Sequence, residues 1–584
     1  MSDDTVVKDY ATLSGASLLK KTLGHQNRQS STVIGATSDF DPVLTRSLTW
    51  NSKGECPNFS AAHILRRANQ RTHFMMRPDL QDEMDAELAN LDAIESFVAP
   101  HGPELVNLYF RIVHPSFPIL HKRVFLEKYG RSYRELTPTG LGAVYILGLG
   151  WWSYSPALSS LPKPDAKELE ARVLKMLFEV HRRPKISDLQ GGLVLMQSPN
   201  VSSWALAGHL VAMAQNLGIN LDCSDWQVPD WERGVRKRVA WALFIQDKWG
   251  ALVYGRGSLI KSEDWDVRPL ESSDFPETSK DDDDEEGSAE IEKGKQTYLQ
   301  MVSLSQIVAE ILHQFFTLKA LRRPKDAQDV LSRARPLQQK LREWYMALPP
   351  ALSVDETVPR KLSSVGYLHL AYYIADITLH RAIIRSCFDA ALVRRHGREA
   401  GESFASALDF VKRLKAEHHQ SFWYFPSGLG LAIIGVFSGI LCAATEDQAE
   451  RDRYLSQLAE YRWILRINAT SAEFMRYAVG VLDARSQLLE QQFGPDAQRR
   501  RESSGSSPGD PQPDDETGIT SPSVDEFLSS LRANDDTWGQ PSTFGEHYYD
   551  LELGDLGGYT TQPTASSYGD GASIDEANGA FRTL

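Results

Sequence analysis

Apolar residues recur at helical spacing through most of the chain between about residues 99 and 492. In the segment 204–217 they share one face of a helix, and Gly218 stands where a helix C-cap is expected. Leu105, Leu108 and Ile112 form a second stripe, which Pro115 should end. Alternating strand patterns are scarce, so the sequence predicts an all-α fold, a large helical regulatory domain in two lobes.

Composition changes along the chain suggest where this body begins and ends. Ser, Thr, Asn, Asp and Gly are frequent near the start, and Ser, Gly, Pro and Asp dominate the end. The predicted parts are a mostly irregular, partly disordered N-terminal segment (1–98), a first lobe (99–275), an acidic linker (276–294), a second lobe (295–492) and a disordered acidic tail (493–584). Six consecutive acids, Asp281 to Glu286, should hold the linker extended by mutual repulsion.

One stretch, Phe422 to Ala444, has no charged residue over about the length of a membrane span. It contains Pro426 and several glycines and lacks basic flanks, which favours a buried core helix over a membrane helix. The N-terminus shows neither the basic nor the apolar region of a secretory signal.

The net charge of −14 belongs to the tail. From Glu502 to Leu584 there are 16 acidic residues and 2 arginines, so the first 501 residues are close to neutral. Two tail segments, Val524–Leu528 and Tyr548–Leu556, alternate acidic with apolar residues, as transcription-activation segments do. A solvated tail with chance apolar residues is the alternative interpretation.

The four cysteines, Cys56, Cys223, Cys387 and Cys442, are far apart. Structural zinc requires closely spaced thiolate pairs, and a chain of this size rarely depends on a few disulfides. Lone thiols in a reducing compartment are expected, and the sequence predicts no metal ligands, no cofactor-binding residues and no catalytic residues.

Three stretches resemble the fungal-specific transcription factor domain, the middle homology region of binuclear zinc-cluster regulators. They are LVNLYFRIVHPSFPILH (105–121), SWALAGHLVAMAQNLGI (203–219) and WERGVRKRVAWALFIQDKW (231–249), the last followed by YGRG (254–257). Tyr10–Phe40 and Leu147–Tyr154 resemble the TamA-type nitrogen-catabolism activators. The resemblance implies a nuclear regulator of RNA polymerase II genes and not an enzyme. It implies transcription factors and coactivators as partners and allows a homo- or heterodimer.

The sequence departs from that family in one respect. The zinc cluster requires six cysteines in a basic segment, and only Cys56 lies in the first 200 residues. We therefore expect a coactivator that reaches DNA indirectly. The alternative is a DNA-binding activator whose cluster, and whose zinc, belong to a part encoded upstream of Met1.

Other candidate sites have two interpretations each. The basic group Arg233, Arg236, Lys237 and Arg238 either faces phosphate or forms a solvated helix face paired with Glu232 and Asp230. His114 and His121 flank a proline turn and lack further metal ligands nearby. The adjacent pair His418 and His419 is predicted to lie on the surface.

Three further patterns bear on function. Asp281–Glu286 is a weak match to the metal-diphosphate motif of all-α terpenoid synthases, the basis of a remote enzyme alternative. Gly255-Arg256-Gly257 is too short for a phosphate loop. Six tryptophans form either core or an effector pocket: Trp151, Trp152, Trp204, Trp231, Trp241 and Trp249.

Overall fold

The computed structural model describes residues 6–493, apart from residues 8, 39, 41–42, 57–62, 199, 324–325, 387–389 and 471. The tail beyond Phe493, with its two acidic-apolar segments, lies outside the described residues.

Helices dominate the described chain, which confirms the predicted all-α body. They are α1 (Gln81–Val98), α2 (Gly102–Leu108), α3 (Lys122–Arg131), α4 (Pro138–Leu149), α5 (Ala166–Glu179), α6 (Ile186–Leu195), α7 (Trp204–Asn216), α8 (Asp230–Tyr254), α9 (Ile291–Ile311), α10 (Leu318–Leu321), α11 (Ala327–Met346), α12 (Val365–Ser386), α13 (Ala390–Arg413), α14 (Ala416–His419), α15 (Ser427–Ala444), α16 (Gln448–Asn468) and α17 (Glu473–Phe493). Short π-helical turns extend α2 (Tyr109–Val113) and α9 (Leu312–Phe316).

The ends of α7 and α8 follow from local chemistry. The Ser203 side chain accepts a hydrogen bond from the Leu206 backbone N–H at 3.2 Å and so caps the start of α7. Gly218 and Gly255 stand just beyond the two helices with φ of 65° and 63°, a left-handed conformation that glycine adopts without strain. The helix predicted over 204–217 is therefore confirmed to within a residue.

The first part of the helical body is centred on α4, which is apolar on every side and packs against α1, α2, α5 and α6. Its contact with α6 is close because Gly191 lies against the backbone of Thr139 and Gly140. The second part is centred on α15, which packs against α12, α13, α16 and α17.

Helix α15 is the one helix among the described residues that is long and apolar enough to cross a membrane. Inside the protein, 78% of it is buried. Burial among other helices is what a core helix shows, and this favours the core interpretation of the uncharged stretch.

Buried apolar residues from Leu91 to Leu482 form one continuous core. Helices on both sides of the acidic segment contribute to it, since the Trp249 indole N–H donates to Ser305 Oγ at 2.8 Å and the Tyr298 hydroxyl donates to the Arg238 carbonyl at 2.8 Å. The division into two lobes at residues 276–294 remains a prediction.

The N-terminal segment contains a small antiparallel sheet that the sequence did not predict. Its strands are β1 (Gln29–Val33), β2 (Glu55–Cys56), β3 (Ile64–Arg67) and β4 (His73–Pro78), in the order β1-β4-β3-β2. Phe74 of β4 packs edge-on against Trp226, in the loop before α8. These strands have two to six residues, too few for alternation to stand out. The same segment also contains a short 3₁₀ turn at Leu18–Lys21.

The acidic segment is held against the helices at several points, although Glu285 and Glu286 stay exposed. Glu285 forms an ion pair with the buried Arg111, and Asp281 lies 3.8 Å from Arg123. The Asp282 carboxylate accepts the Ile291 backbone N–H at 2.7 Å at the start of α9. Cations and backbone donors distant in sequence thus offset the repulsion among neighbouring carboxylates.

Candidate functional site

The basic group near the start of α8, Arg233 to Arg238, is engaged by partners within the protein. Arg236 and Arg238 are almost fully buried. Arg238 donates to the carbonyl oxygens of Pro118 and Leu120, in the proline turn. Lys237 pairs with Asp274 at 2.6 Å, and Arg233 donates to the carbonyls that end the preceding loop. The predicted pairing with Glu232 and Asp230 is confirmed, because Arg236 pairs with the first and Arg233 with the second. The prediction of a solvated face was wrong, because Arg236 and Arg238 are buried, and this burial also leaves them unable to face phosphate.

Glu232 is the residue around which this part of α8 is organised. It is fully buried, and Arg236 approaches its carboxylate to 3.1 Å. The same carboxylate accepts the Thr22 hydroxyl at 2.6 Å and the backbone N–H groups of Leu23 and Gly24 at 2.9 and 3.0 Å. We call this contact between residues 22–24 and α8 the α8 seam.

The charge of Glu232 is held by its partners. Burial alone would raise the pKa of this carboxyl, but Arg236, His25 and the hydrogen bonds outweigh burial and lower it. A single carboxylate thus satisfies three donors of the N-terminal segment and one guanidinium of its own helix. The sequence marked residues 18–24 only through the family resemblance and did not indicate their partner.

A second set of charges holds the next part of the N-terminal segment. The ammonium of Lys128 on α3 donates to the His25 carbonyl and the Asn27 side chain at 2.8 and 2.9 Å. Lys185 donates to the Asn27 carbonyl at 2.6 Å and pairs with Glu87 of α1 at 3.1 Å. Burial and the nearby Lys185 lower the pKa of Lys128 to about 7.

These side chains line a small cleft that is partly open to solvent. Its walls come from residues 26–28, α1, α3 and α6, so it marks the junction between the N-terminal segment and the helices. None of the six tryptophans lines it. They are divided among separate contacts instead, with Trp231 donating to the Leu18 carbonyl at 3.0 Å and Trp241 to the Arg268 carbonyl at 2.9 Å. This arrangement favours the core interpretation over an effector pocket.

The histidines of the proline turn lie in the interior. His114 is 3.8 Å from the carboxylate of Glu277, and His121 accepts the Val124 backbone N–H at 3.3 Å at the start of α3. Burial lowers the pKa of both rings, that of His121 to about 4. Within the described ranges, no group of three or more His, Cys, Asp or Glu side chains is placed to hold a metal ion.

The pair His418 and His419 was predicted to lie on the surface, and this prediction was wrong. Both side chains are buried. His418 accepts the Lys415 backbone N–H at 3.0 Å, while its carbonyl accepts the Trp423 indole N–H at 2.7 Å. The histidines of the short helix α14 are covered by other segments of the same chain, and the local sequence does not reveal this burial.

Comparison with known proteins shows which sequences this chain resembles. Residues 106–346 match the model of the fungal specific transcription factor domain. The transcriptional activator protein DAL81 of Saccharomyces cerevisiae is 36% identical over 488 residues, which cover 76% of this chain and 50% of that protein. An uncharacterized transcriptional regulatory protein of Schizosaccharomyces pombe is 30% identical over 60% of this chain and 53% of its own length.

A third relative is the nitrogen assimilation transcription factor nit-4 of Neurospora crassa, 23% identical over 49% of this chain and 28% of its own. The chain therefore spans about half the length of the first two relatives, and less of the third. No solved structure matches the chain. These relatives are transcription regulators and not enzymes.

Proposed function

We propose that this chain, a member of the fungal-specific transcription factor family, is a nuclear coactivator that controls nitrogen-catabolism genes transcribed by RNA polymerase II. The observation that carries the proposal is the 36% identity to a transcriptional activator across three quarters of the chain. A nitrogen assimilation factor among the relatives supports the choice of target genes.

Action through partner proteins is supported by the distribution of charge. The basic residues of α8, the densest basic group in the family-like region, are engaged by internal partners. The first 501 residues are close to neutral, whereas DNA binding is dominated by cations that neutralise phosphates. The acidic tail supplies segments that a coactivator groove could bind as a short induced helix.

A second candidate function is direct DNA binding through a zinc cluster outside this sequence. It is favoured by the length of the relatives, about half of which the chain does not cover. Translating the gene upstream of Met1 tests it: six cysteines in a basic stretch in frame would make the whole protein a DNA binder, which contradicts the partner-only mechanism.

Deletion of the gene tests the biological role. The deletion strain should grow normally on ammonium and poorly on secondary nitrogen sources such as amides, with loss of the corresponding transcripts. A fluorescent fusion that complements the deletion should be nuclear. Equal growth and equal transcripts on both kinds of nitrogen source would refute the nitrogen-catabolism assignment.

A tethering assay tests the tail. Residues 500–584 fused to a foreign DNA-binding domain should activate a reporter. Replacing Phe527 and Leu528 together by Ala should reduce activation while keeping every acidic residue. The matched control replaces the nearby Leu531 by Ala. Activation that is absent, or unaffected by the paired substitution, contradicts the role assigned to Val524–Leu528.

A further inference from the structure

Helix α16 carries apolar residues on two opposite sides. Its inner side presents Tyr461, Ile464 and Leu465, which are buried in the core. Trp463 and Ile467 belong to the outer side, because residues two apart on an α-helix differ by about 200°. Trp463 is 63% exposed and Ile467 is 52% exposed.

Trp463 and Ile467 are adjacent on the helix surface, since residues four apart stack one turn above the other. Trp463 is the one tryptophan among the described residues that falls in the exposed class. Arg466, half exposed, lies between them in sequence and forms an ion pair with Asp483 of α17 at 2.7 Å. We call Trp463, Arg466 and Ile467 the outer face of α16.

Packing of the fold accounts for Arg466, through its ion pair with α17, but not for the exposure of Trp463 and Ile467. The inner side already provides the apolar contacts that hold α16 against α13, α15 and α17. Tryptophan and arginine are among the residue types enriched at energetically dominant positions of protein interfaces.

We infer that the outer face of α16 binds the chain's own segment Val524–Leu528. This segment offers Phe527 and Leu528 to the apolar pair. Its Asp525 and Glu526 can approach Arg466, which is still half exposed beside its partner Asp483. An amphipathic segment that lays its apolar side on an exposed apolar strip is a common mode of peptide recognition.

The length of the intervening chain allows this contact. Between Phe493, where α17 ends, and Val524 there are 30 residues, which span at most roughly 100 Å when extended. Helix α16 is only about 30 Å long. An intramolecular ligand at such a distance acts at an effective concentration in the millimolar range, so a weak contact suffices.

The inference does not depend on the tail being an activation segment, because binding is measured in purified protein. A fluorescent peptide of residues 517–531 is titrated with the full chain carrying Phe527→Ala and Leu528→Ala, which leaves the outer face open. The peptide should bind, and adding Trp463→Ala should weaken binding by about tenfold or more. The matched control, Met346→Ala, changes a residue that is 85% exposed elsewhere and should leave affinity unchanged.

Competition tests whether the face is occupied in the same chain. The wild-type chain should bind the peptide about fivefold or more weakly than the chain with the open face. Absence of binding, equal binding with Trp463→Ala, equal loss with Met346→Ala, or equal binding by the wild-type chain would each overturn the inference. Light scattering provides one further test. A wild-type dimer that Trp463→Ala converts to a monomer would also overturn the inference, because a second copy of the chain would then cover the outer face of α16.

Discussion

Replacing Glu232 by Gln tests the α8 seam directly. The amide keeps the shape of the carboxylate but removes its charge, so that Arg236 stays buried without a charged partner. One of the two oxygens becomes an NH₂ group, which faces N–H or O–H donors in either orientation. Breaking a buried pair by removing one partner costs about 3–5 kcal/mol of unfolding free energy, or more than about a hundredfold in the folding equilibrium.

Urea titration measures this loss, and tryptic cleavage within residues 18–28 shows whether the N-terminal segment detaches first. The matched control is Asp230→Asn, two residues earlier, where the side chain is 94% exposed and also pairs with an arginine. That control should change stability by less than about 1 kcal/mol. If the two variants were equally stable and equally resistant to trypsin, the assignment of Glu232 as the organising residue would be refuted.

The pH dependence of the same pair has a definite sign. Because the folded pKa of Glu232 is lowered, its stabilisation is complete above the unfolded pKa of about 4.3 and is lost as pH falls through the folded pKa. The wild-type chain should therefore lose more stability than Glu232→Gln on acidification below that value. Parallel curves for the two proteins would contradict the lowered pKa.

Three further predictions concern packing, protonation and thiols. Gly191→Ala should destabilise the protein by about 1–3 kcal/mol in urea titration, because the new Cβ would lie 2.6 Å from the backbone of α4. The control Gly480→Ala has open space around it and should be neutral or stabilising. The reverse order of the two stabilities would contradict the packing of α4 on α6. The folded pKa of Lys128 is about 7, so above that pH unfolding takes up a proton. The free energy of unfolding should therefore rise with pH from about 7 to 10, by at most about 1.4 kcal/mol per pH unit. This contribution should be absent in Lys128→Met, and an unchanged slope of stability against pH in that variant would refute the lowered pKa. Burial raises the pKa of Cys223 to about 11 and that of Cys442 to about 12. An aromatic disulfide reagent at pH 8 should therefore label both thiols only after the protein unfolds. Rapid labelling of the folded protein would contradict their burial.

Sequence reasoning located features whose cause is local. The period of Leu206, Leu210 and Leu217 predicted α7, and the glycine after it stands in the predicted cap. The uncharged stretch around α15 was correctly interpreted as core because proline, glycine and missing basic flanks are visible in the sequence itself. The family was identified in the same way, from short runs of residues that the domain match includes.

Sequence reasoning failed where a residue's environment depends on distant chain. Arg236 and Arg238 have the spacing of a solvated helix face, yet both are buried. Arg236 pairs with the nearby Glu232, which the N-terminal segment covers, and Arg238 donates to the carbonyls of the proline turn. The N-terminal segment and the proline turn are each more than 100 residues away in sequence. A signal that could have indicated this was present in α8 itself. Val239 and Trp241 are both apolar and differ by about 200° around the helix, which leaves little room for a solvated side.

The sequence by itself determined the helical class, the bounds of α7 and the acidic character of the tail, because periodicity, capping and charge are properties of neighbouring residues. Tertiary structure alone decided which charges are buried, which histidines lie inside, how the short strands pair and which side of α16 is left to solvent. Burial of a polar group costs free energy unless a partner meets it, and that partner usually comes from another part of the chain. Only the folded arrangement brings Thr22 to Glu232 and leaves Trp463 exposed.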